Sequence, residues 1–278
     1  MSKPWIFISP SSRGIGHALT RHLLRTTTLP ILATSRSDPS STKFSLLQDS
    51  SSAQDYSSRL TVLQVDVTDE STITTASSKA AELFPQKTHH LHLGFAIPGI
   101  LHPEKSPAQV EWDNALETMK VNVLGPMMLM KHFGEFLPRK STSLSLPNQA
   151  PNPNDGEEDA LNLPNNAVWT NLSARVGSIG DNRLGGWYSY RASKSAVNSL
   201  TKTFDLYLRN RSGGNAVAVA YHPGTVKTEL SKEFWGSVTE GQLFSPEFAA
   251  ERLAKVVCSR GDGERGRIWD WRGEEVSP

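Results

Sequence analysis

The chain has 278 residues, 37% of them hydrophobic and 8% aromatic, enough for a sizeable core and enough to exclude a largely disordered chain. Lys and Arg (29) balance Asp and Glu (28) to a formal net charge of +1, which disfavours a basic domain built to coat nucleic acid. The single cysteine, Cys258, has no internal disulfide partner, and no uncharged apolar run reaches the ~18 residues that cross a bilayer. No basic-then-apolar leader precedes Trp5, so the expectation is a cytoplasmic, single-domain protein with no membrane and no nucleic-acid partner.

Strand-like apolar runs alternate with helical periodicity along the chain. Trp5–Ser9 reads as a strand, followed by a glycine-containing turn and a helix over His17–Arg25. Pro30–Ser35 and Leu60–Val67 are further strands, Ser71–Phe84 a helix and Leu91–Ile97 a fourth strand. Trp112–Leu137 reads as one long helix, with Leu116, Met119, Val123, Met127 and Met130 at spacings of three and four. Ala167–Leu172, Tyr188–Leu208, Ala216–Tyr221, Pro246–Cys258 and Arg267–Trp271 continue the alternation as strand, helix, strand, helix and strand. This pattern predicts an α/β fold: a doubly wound parallel sheet of about seven strands with helices on both faces.

Two stretches interrupt the alternation. Ser37–Arg59 is rich in Ser, Asp and Gln, and Arg139–Asn166 carries three prolines in Pro147–Pro153 and four acids in Asp155–Asp159. Both read as surface insertions, partly disordered, and neither has the periodic apolar pattern of a second domain. His89, His90 and His92 read as a polar loop before the fourth strand; no Cys or acid stands at a matching spacing, so no metal is expected. Met127, Met128 and Met130 read as core, and Cys258 as a small apolar residue of the last helix.

The turn Ser9-Pro10-Ser11-Ser12-Arg13-Gly14-Ile15-Gly16 joins the first strand to the first helix. Glycines let the backbone approach a phosphate there, and the helix N-terminus offers free N–H groups and partial positive charge. The second strand ends Thr34-Ser35-Arg36. A guanidinium suits the 2′-phosphate of NADP better than the acid that usually holds an NAD ribose, and Arg13 can bracket the same group; Asp38 points the other way.

Tyr190 and Lys194 lie four apart on one predicted helix face. Tyr190-Arg191-Ala192-Ser193-Lys194 resembles the YxxxK site of the short-chain dehydrogenase/reductase family. The resemblance extends in order over nearly the whole chain: the glycine turn, Asp66, Asn122, and His222-Pro223-Gly224-Thr225-Val226-Lys227-Thr228. NLSARVGSIGDNRLGGWYSYRASK is most similar to the carbonyl-reductase-like branch with bacterial C-factor relatives and fungal homologues. The resemblance implies a single Rossmann-like domain and an NADP(H)-dependent oxidoreductase acting on a small carbonyl or alcohol. It implies Tyr190 as acid/base, Lys194 as the ammonium that lowers the phenol pKa and bonds the nicotinamide ribose, and Asn122 as holder of a water leading to solvent. The implied cofactor set is Ser9, Ser11, Arg13, Gly14, Ile15, Gly16, Arg36, Asp66, Val67, Lys194, Pro223, Gly224, Val226 and Thr228. Asp66 would take the adenine amine, and Thr228 with the Val226 backbone the carboxamide and phosphate region. A homodimer or homotetramer through the two long helices is implied as well.

Three positions depart from the family pattern. Ser9-Pro10 replaces the first threonine–glycine pair, and Ala96-Ile97-Pro98-Gly99 lacks the usual asparagines. Asn171-Leu172-Ser173-Ala174 puts alanine where the catalytic serine stands. Ser173 and Ser178 are the substitutes at hand; strand alternation turns Ser173 to the opposite face, which favours Ser178. Trp187, Phe234 and Trp235 fall where this fold places its substrate cleft, and Phe234 and Trp235 equally suit a mobile lid. A catalytically weak dinucleotide-binding sensor or partner-binding module is the alternative function.

Overall fold

Trp5, Ile6, Phe7 and Ile8 are fully buried, because the strand that carries them lies mid-sheet with helices on both faces. In this computed structural model, which describes residues 1–48, 53–146 and 160–278, strand β1 (Lys3–Ser9) leads into α1 (Gly14–Thr26) and β2 (Ile31–Ser35). Then come α2 (Pro39–Leu47), α3 (Ala53–Arg59), β3 (Leu60–Gln64), α4 (Glu70–Leu83) and β4 (His89–Ala96). The chain continues through α5 (Trp112–Met119), α6 (Gly125–Phe133), β5 (Ala167–Leu172), α7 (Tyr188–Ser212) and β6 (Ala216–His222). A small parallel pair, β7 (Thr225–Val226) and β8 (Leu243–Phe244), precedes α8 (Pro246–Cys258), β9 (Ile268–Asp270) and β10 (Glu275–Val276).

The sheet order is β10-β9-β6-β5-β4-β1-β2-β3. The expected seven parallel strands are present, and an antiparallel β10 adds an eighth at the edge. Strand order reverses between β1 and β4, which opens a crevice beyond their carboxyl ends. One core packs α1 and α8 on Ile6, Ile8, Val217 and Val219; the other packs α4, α6 and α7 on Trp5, Phe7 and Trp169. In the second core Phe7 stacks on Phe133 at 3.9 Å and Trp5 on Phe84 at 4.5 Å.

Three expectations change. The stretch from Ser37 to Arg59 contains two helices: Asp38 caps α2 by accepting from the Ser41 N–H at 2.9 Å, and Pro39 opens its first turn. Residues 49–52 and 147–159, with the acidic run Asp155–Asp159, lie outside the described residues. The flanks of the second stretch are tied down, by the bridge Ser2 to Leu144 and by the Leu161 N–H donating to Thr26 O at 3.1 Å.

His89, His90 and His92 belong to β4 rather than to a loop, and His90 and His92 are buried. His92 Nε2 donates to Pro164 O at 3.0 Å, because a carbonyl only accepts; its Nδ1 therefore accepts from His90 Nε2 at 3.3 Å, and His90 Nδ1 from the Ser2 hydroxyl at 3.0 Å. The long helix is broken at Lys120–Leu124 by one π-turn, which separates α5 from α6. Met130 is buried and Met127 and Met128 pack against the same core, as their spacing predicts.

Candidate active site

The segments leaving β1, β4, β5 and β6 converge on the crevice. At the glycine turn, a Cβ on Gly16 would stand 1.9 Å from Pro10 O, so only glycine fits. A Cβ on Gly14 would meet Thr228 Cγ2 at 3.3 Å, which brings the turn against the segment after β6. The side chains of Ser9 and Ser11 face the scaffold: Ser9 Oγ accepts from Thr34 Oγ1 at 2.8 Å, and Ser11 Oγ donates to Ile8 O at 3.2 Å. The first turn of α1 holds no acid, and Arg13 stands at its N-cap without capping it by side chain.

Arg13 and Arg36 are exposed, and neither forms an ion pair among the described residues. Asp38 is spent on its helix cap. Asp66 Oδ1 accepts from Thr68 N at 2.9 Å and from Thr68 Oγ1 at 2.7 Å, and Val67 lies against Gly125. Pro223, Gly224 and Val226 follow β6, Gly224 at φ 74° with Phe244 and Trp271 where a Cβ would go. Thr228 caps a short helical turn over Glu229–Ser237. A glycine cradle open at a helix N-terminus, flanked by two uncommitted guanidiniums, fits a dinucleotide with an extra phosphate.

Tyr190 and Lys194 rise from the first turns of α7. Lys194 is 2% exposed, and its Nζ donates to Leu172 O at 2.8 Å and stands 5.6 Å from the Tyr190 ring centroid. Burial pulls its pKa down to about 8 and pushes the Tyr190 phenol above its ordinary value. The phenol makes no hydrogen bond among the described residues. A Cβ on Gly99 would lie 3.8 Å from Lys194 Nζ and 4.0 Å from Asn122 Oδ1, so the segment after β4 reaches the same point.

Asn122 is fully buried in the π-turn. Its Oδ1 accepts from Ile100 N at 2.8 Å, and its Nδ2 donates to Ile100 O at 2.9 Å and to Ser193 Oγ at 3.1 Å. Pro126 has no N–H for the Asn122 carbonyl four residues before it. The two serines near Ala174 differ. Ser173 Oγ donates a 2.6 Å bond to Asn198 Oδ1, whereas Ser178 Oγ accepts from Asp181 N at 3.0 Å and donates only a long 3.4 Å bond to Pro278 O.

Trp187 meets Tyr190 edge-on at 6.2 Å and Phe234 at 4.8 Å, forming an aromatic wall. Trp235 instead donates to Ser231 Oγ at 2.9 Å and lies under Lys227. Sequence reasoning missed Gly177 and Glu104. Gly177 has its Cβ position 2.7 Å from the Lys194 backbone carbon, and Glu104 binds the start of α7. Their partners are distant in sequence, and no local pattern announces them.

The family described as short chain dehydrogenase matches residues 4–143, and the chain belongs to it. It is an oxidoreductase of that family. Over 204 residues it is 27% identical to the 1-hydroxy-2-glutathionyl-2-methyl-3-butene dehydrogenase of Rhodococcus, covering 73% of this chain and 74% of that one. Over 105 residues it is 30% identical to C-signal of Myxococcus xanthus, covering 38% of this chain and 57% of that one. In fold it is similar to the NADPH-bound carbonyl reductase from chicken fatty liver, with a TM-score of 0.75, 23% identity and 100% of both chains covered. Among the described residues no helix is long and apolar enough to cross a membrane.

Proposed function

We propose that the protein is an NADP(H)-dependent carbonyl reductase or alcohol dehydrogenase with Tyr190 as its acid/base. The observation that carries this reading is the buried Lys194 ammonium beside the unpartnered Tyr190 phenol, at the crevice where the glycine turn meets Thr228. The bound cofactor supplies a hydride to the carbonyl carbon. Tyr190 gives its phenolic proton to the oxygen, and Lys194 offsets the charge left on the phenolate. The Asn122 carbonyl, without a donor from Pro126, holds a water on the route by which the proton is replaced. Ser178 trades its long bond to Pro278 for the substrate oxygen while still accepting from Asp181.

Gly14, Ile15 and Gly16 hold the pyrophosphate, and Ser9 and Ser11 shape that turn. Arg13 and Arg36 hold the 2′-phosphate, Asp66 and Val67 the adenine side, and Pro223, Gly224, Val226 and Thr228 the nicotinamide side. The small carbonyl lies against Trp187 and Phe234. Trp112 (80% exposed), Leu116, Leu206 and Tyr207 leave an apolar surface on α5 and α7, which supports a homodimer or homotetramer.

The test is absorbance of NADPH with a panel of aldehydes, diketones and quinones. Turnover is expected, and Tyr190→Phe lowers it about 10²–10⁴-fold while NADPH still binds. Ser178→Ala costs about 10²-fold and Ser173→Ala nothing comparable. Arg36→Ala weakens NADPH about tenfold or more and leaves NADH unchanged. Tight NADPH binding with no turnover on any carbonyl favours the weakly catalytic sensor, for which Ala174 is the supporting residue.

A further inference from the structure

A helix leaves its first N–H groups without backbone partners, and a polar side chain at the N-cap normally takes one. At the start of α7 the N-cap is Trp187, which has no acceptor. The missing acceptor arrives from the loop after β4. Glu104 Oε2 accepts from Ser189 N at 3.0 Å, Glu104 Oε1 from Ser189 Oγ at 2.6 Å, and Glu104 O from Trp187 N at 2.6 Å. Glu104 is 3% exposed and forms no ion pair among the described residues. The N-terminus of α7, with its partial positive charge, is what its carboxylate faces.

This clasp sits where the proposed chemistry is most sensitive to position. Tyr190 is the third residue of α7, on the turn of a helix that frays most readily. Trp187 stands at φ 50°, a left-handed conformation that a bulky residue holds only when its surroundings impose it. The Trp187 ring touches both the Tyr190 and Phe234 rings. Gly186, also left-handed, leaves room for the Glu104 carbonyl, which a Cβ there would approach to 3.2 Å.

We propose that Glu104 is a positioning residue for the proton donor: by capping α7 from across the cleft and holding Trp187 in its left-handed turn, it keeps the Tyr190 phenol in register with the wall against which the substrate lies. The inference rests on the proposed reductase activity. Glu104 touches neither substrate nor cofactor and acts through Ser189 and Trp187.

Three variants test it: Glu104→Ala, Glu104→Gln and Ser189→Ala. Gln keeps the geometry, since its carbonyl accepts from the Ser189 N–H and its amide donates to the Ser189 hydroxyl. Steady-state reduction of the best carbonyl is measured with the NADPH dissociation constant and amide exchange at Trp187 and Ser189. Glu104→Ala is expected to lower kcat about 10²-fold, the scale of a misplacement of about 1 Å, with NADPH affinity within about twofold and faster exchange at both amides. Glu104→Gln is expected to restore most of kcat, and Ser189→Ala to fall between.

Wild-type kcat and KM in Glu104→Ala overturn the proposal, as does an equal loss in Glu104→Ala and Glu104→Gln with NADPH affinity falling in step. If Glu104→Ala does not fold, Glu104→Gln and Ser189→Ala decide: a fall in kcat in Ser189→Ala with rescue in Glu104→Gln supports it, and wild-type rates in Ser189→Ala overturn it. A wild-type protein that turns over no carbonyl defeats the reductase reading and this inference with it. An active wild type with an unaffected Glu104→Ala defeats the inference alone.

Discussion

A buried ammonium is expensive, and Lys194 carries its charge on one hydrogen bond to Leu172 O. Its pKa lies near 8 in the folded protein against 10.5 when exposed. The unfolded chain thus binds a proton that the folded one releases, so stability rises from about pH 8 to 10.5 and is lost as pH falls through about 8. Under the proposed mechanism activity runs the other way, because there the charged form supports the Tyr190 phenolate. The kcat/KM for reduction is expected to fall above about pH 8, and Lys194→Met to be inactive yet more stable than wild type at pH 7. A flat rate profile from pH 6 to 10, or a destabilised Lys194→Met, defeats this account. At this scale the Tyr190–Lys194 pair was legible because both sit on one helix face. Glu104 was not, since its partner Ser189 is 85 residues away and nothing near Glu104 marks it.

Helix α7 is set against the sheet by Gly177, whose Cβ position lies 2.7 Å from the Lys194 Cβ and 2.9 Å from its carbonyl oxygen. Gly177→Ala must therefore push α7 outward at Lys194. A loss of turnover of about 10²-fold is expected, with the circular dichroism spectrum retained; wild-type kcat contradicts the placement. Most elements were readable from apolar periodicity, but some were obscured for physical reasons. His-Leu-His-Leu in β4 looks polar residue by residue, although its period of two is that of a strand. Asp38-Pro39 was a usable start signal for α2, masked by the surrounding serines. The π-turn at Lys120–Leu124 arises from the fit of Asn122 to the Ile100 backbone and of Gly125 to Val67, contacts that helical spacing does not encode.

Across the whole molecule the doubly wound parallel sheet was legible from strand–helix alternation and handedness, whereas the order of its strands and the antiparallel β10 come from the structure. The chain also buries histidines in a neutral state. Burial lowers His22, His90 and His222 to about 4 and His92 to about 3, against 6.5 in an unfolded chain. The unfolded form therefore takes protons that the folded form refuses, and stability is lost as pH falls from 6.5 through about 4. Thermal unfolding midpoints are expected to drop across that window, and His92→Gln to flatten the slope by about one proton; constant midpoints from pH 6.5 to 4.5 refute this. The strand β10 has a separate bearing on behaviour in concentrated solution. Its two residues, one of them Glu275 paired with Arg267 at 2.8 Å, turn the parallel sheet's last edge antiparallel. An incoming strand from another molecule finds there a short, charged template, so end-to-end polymerisation through this edge has little to build on.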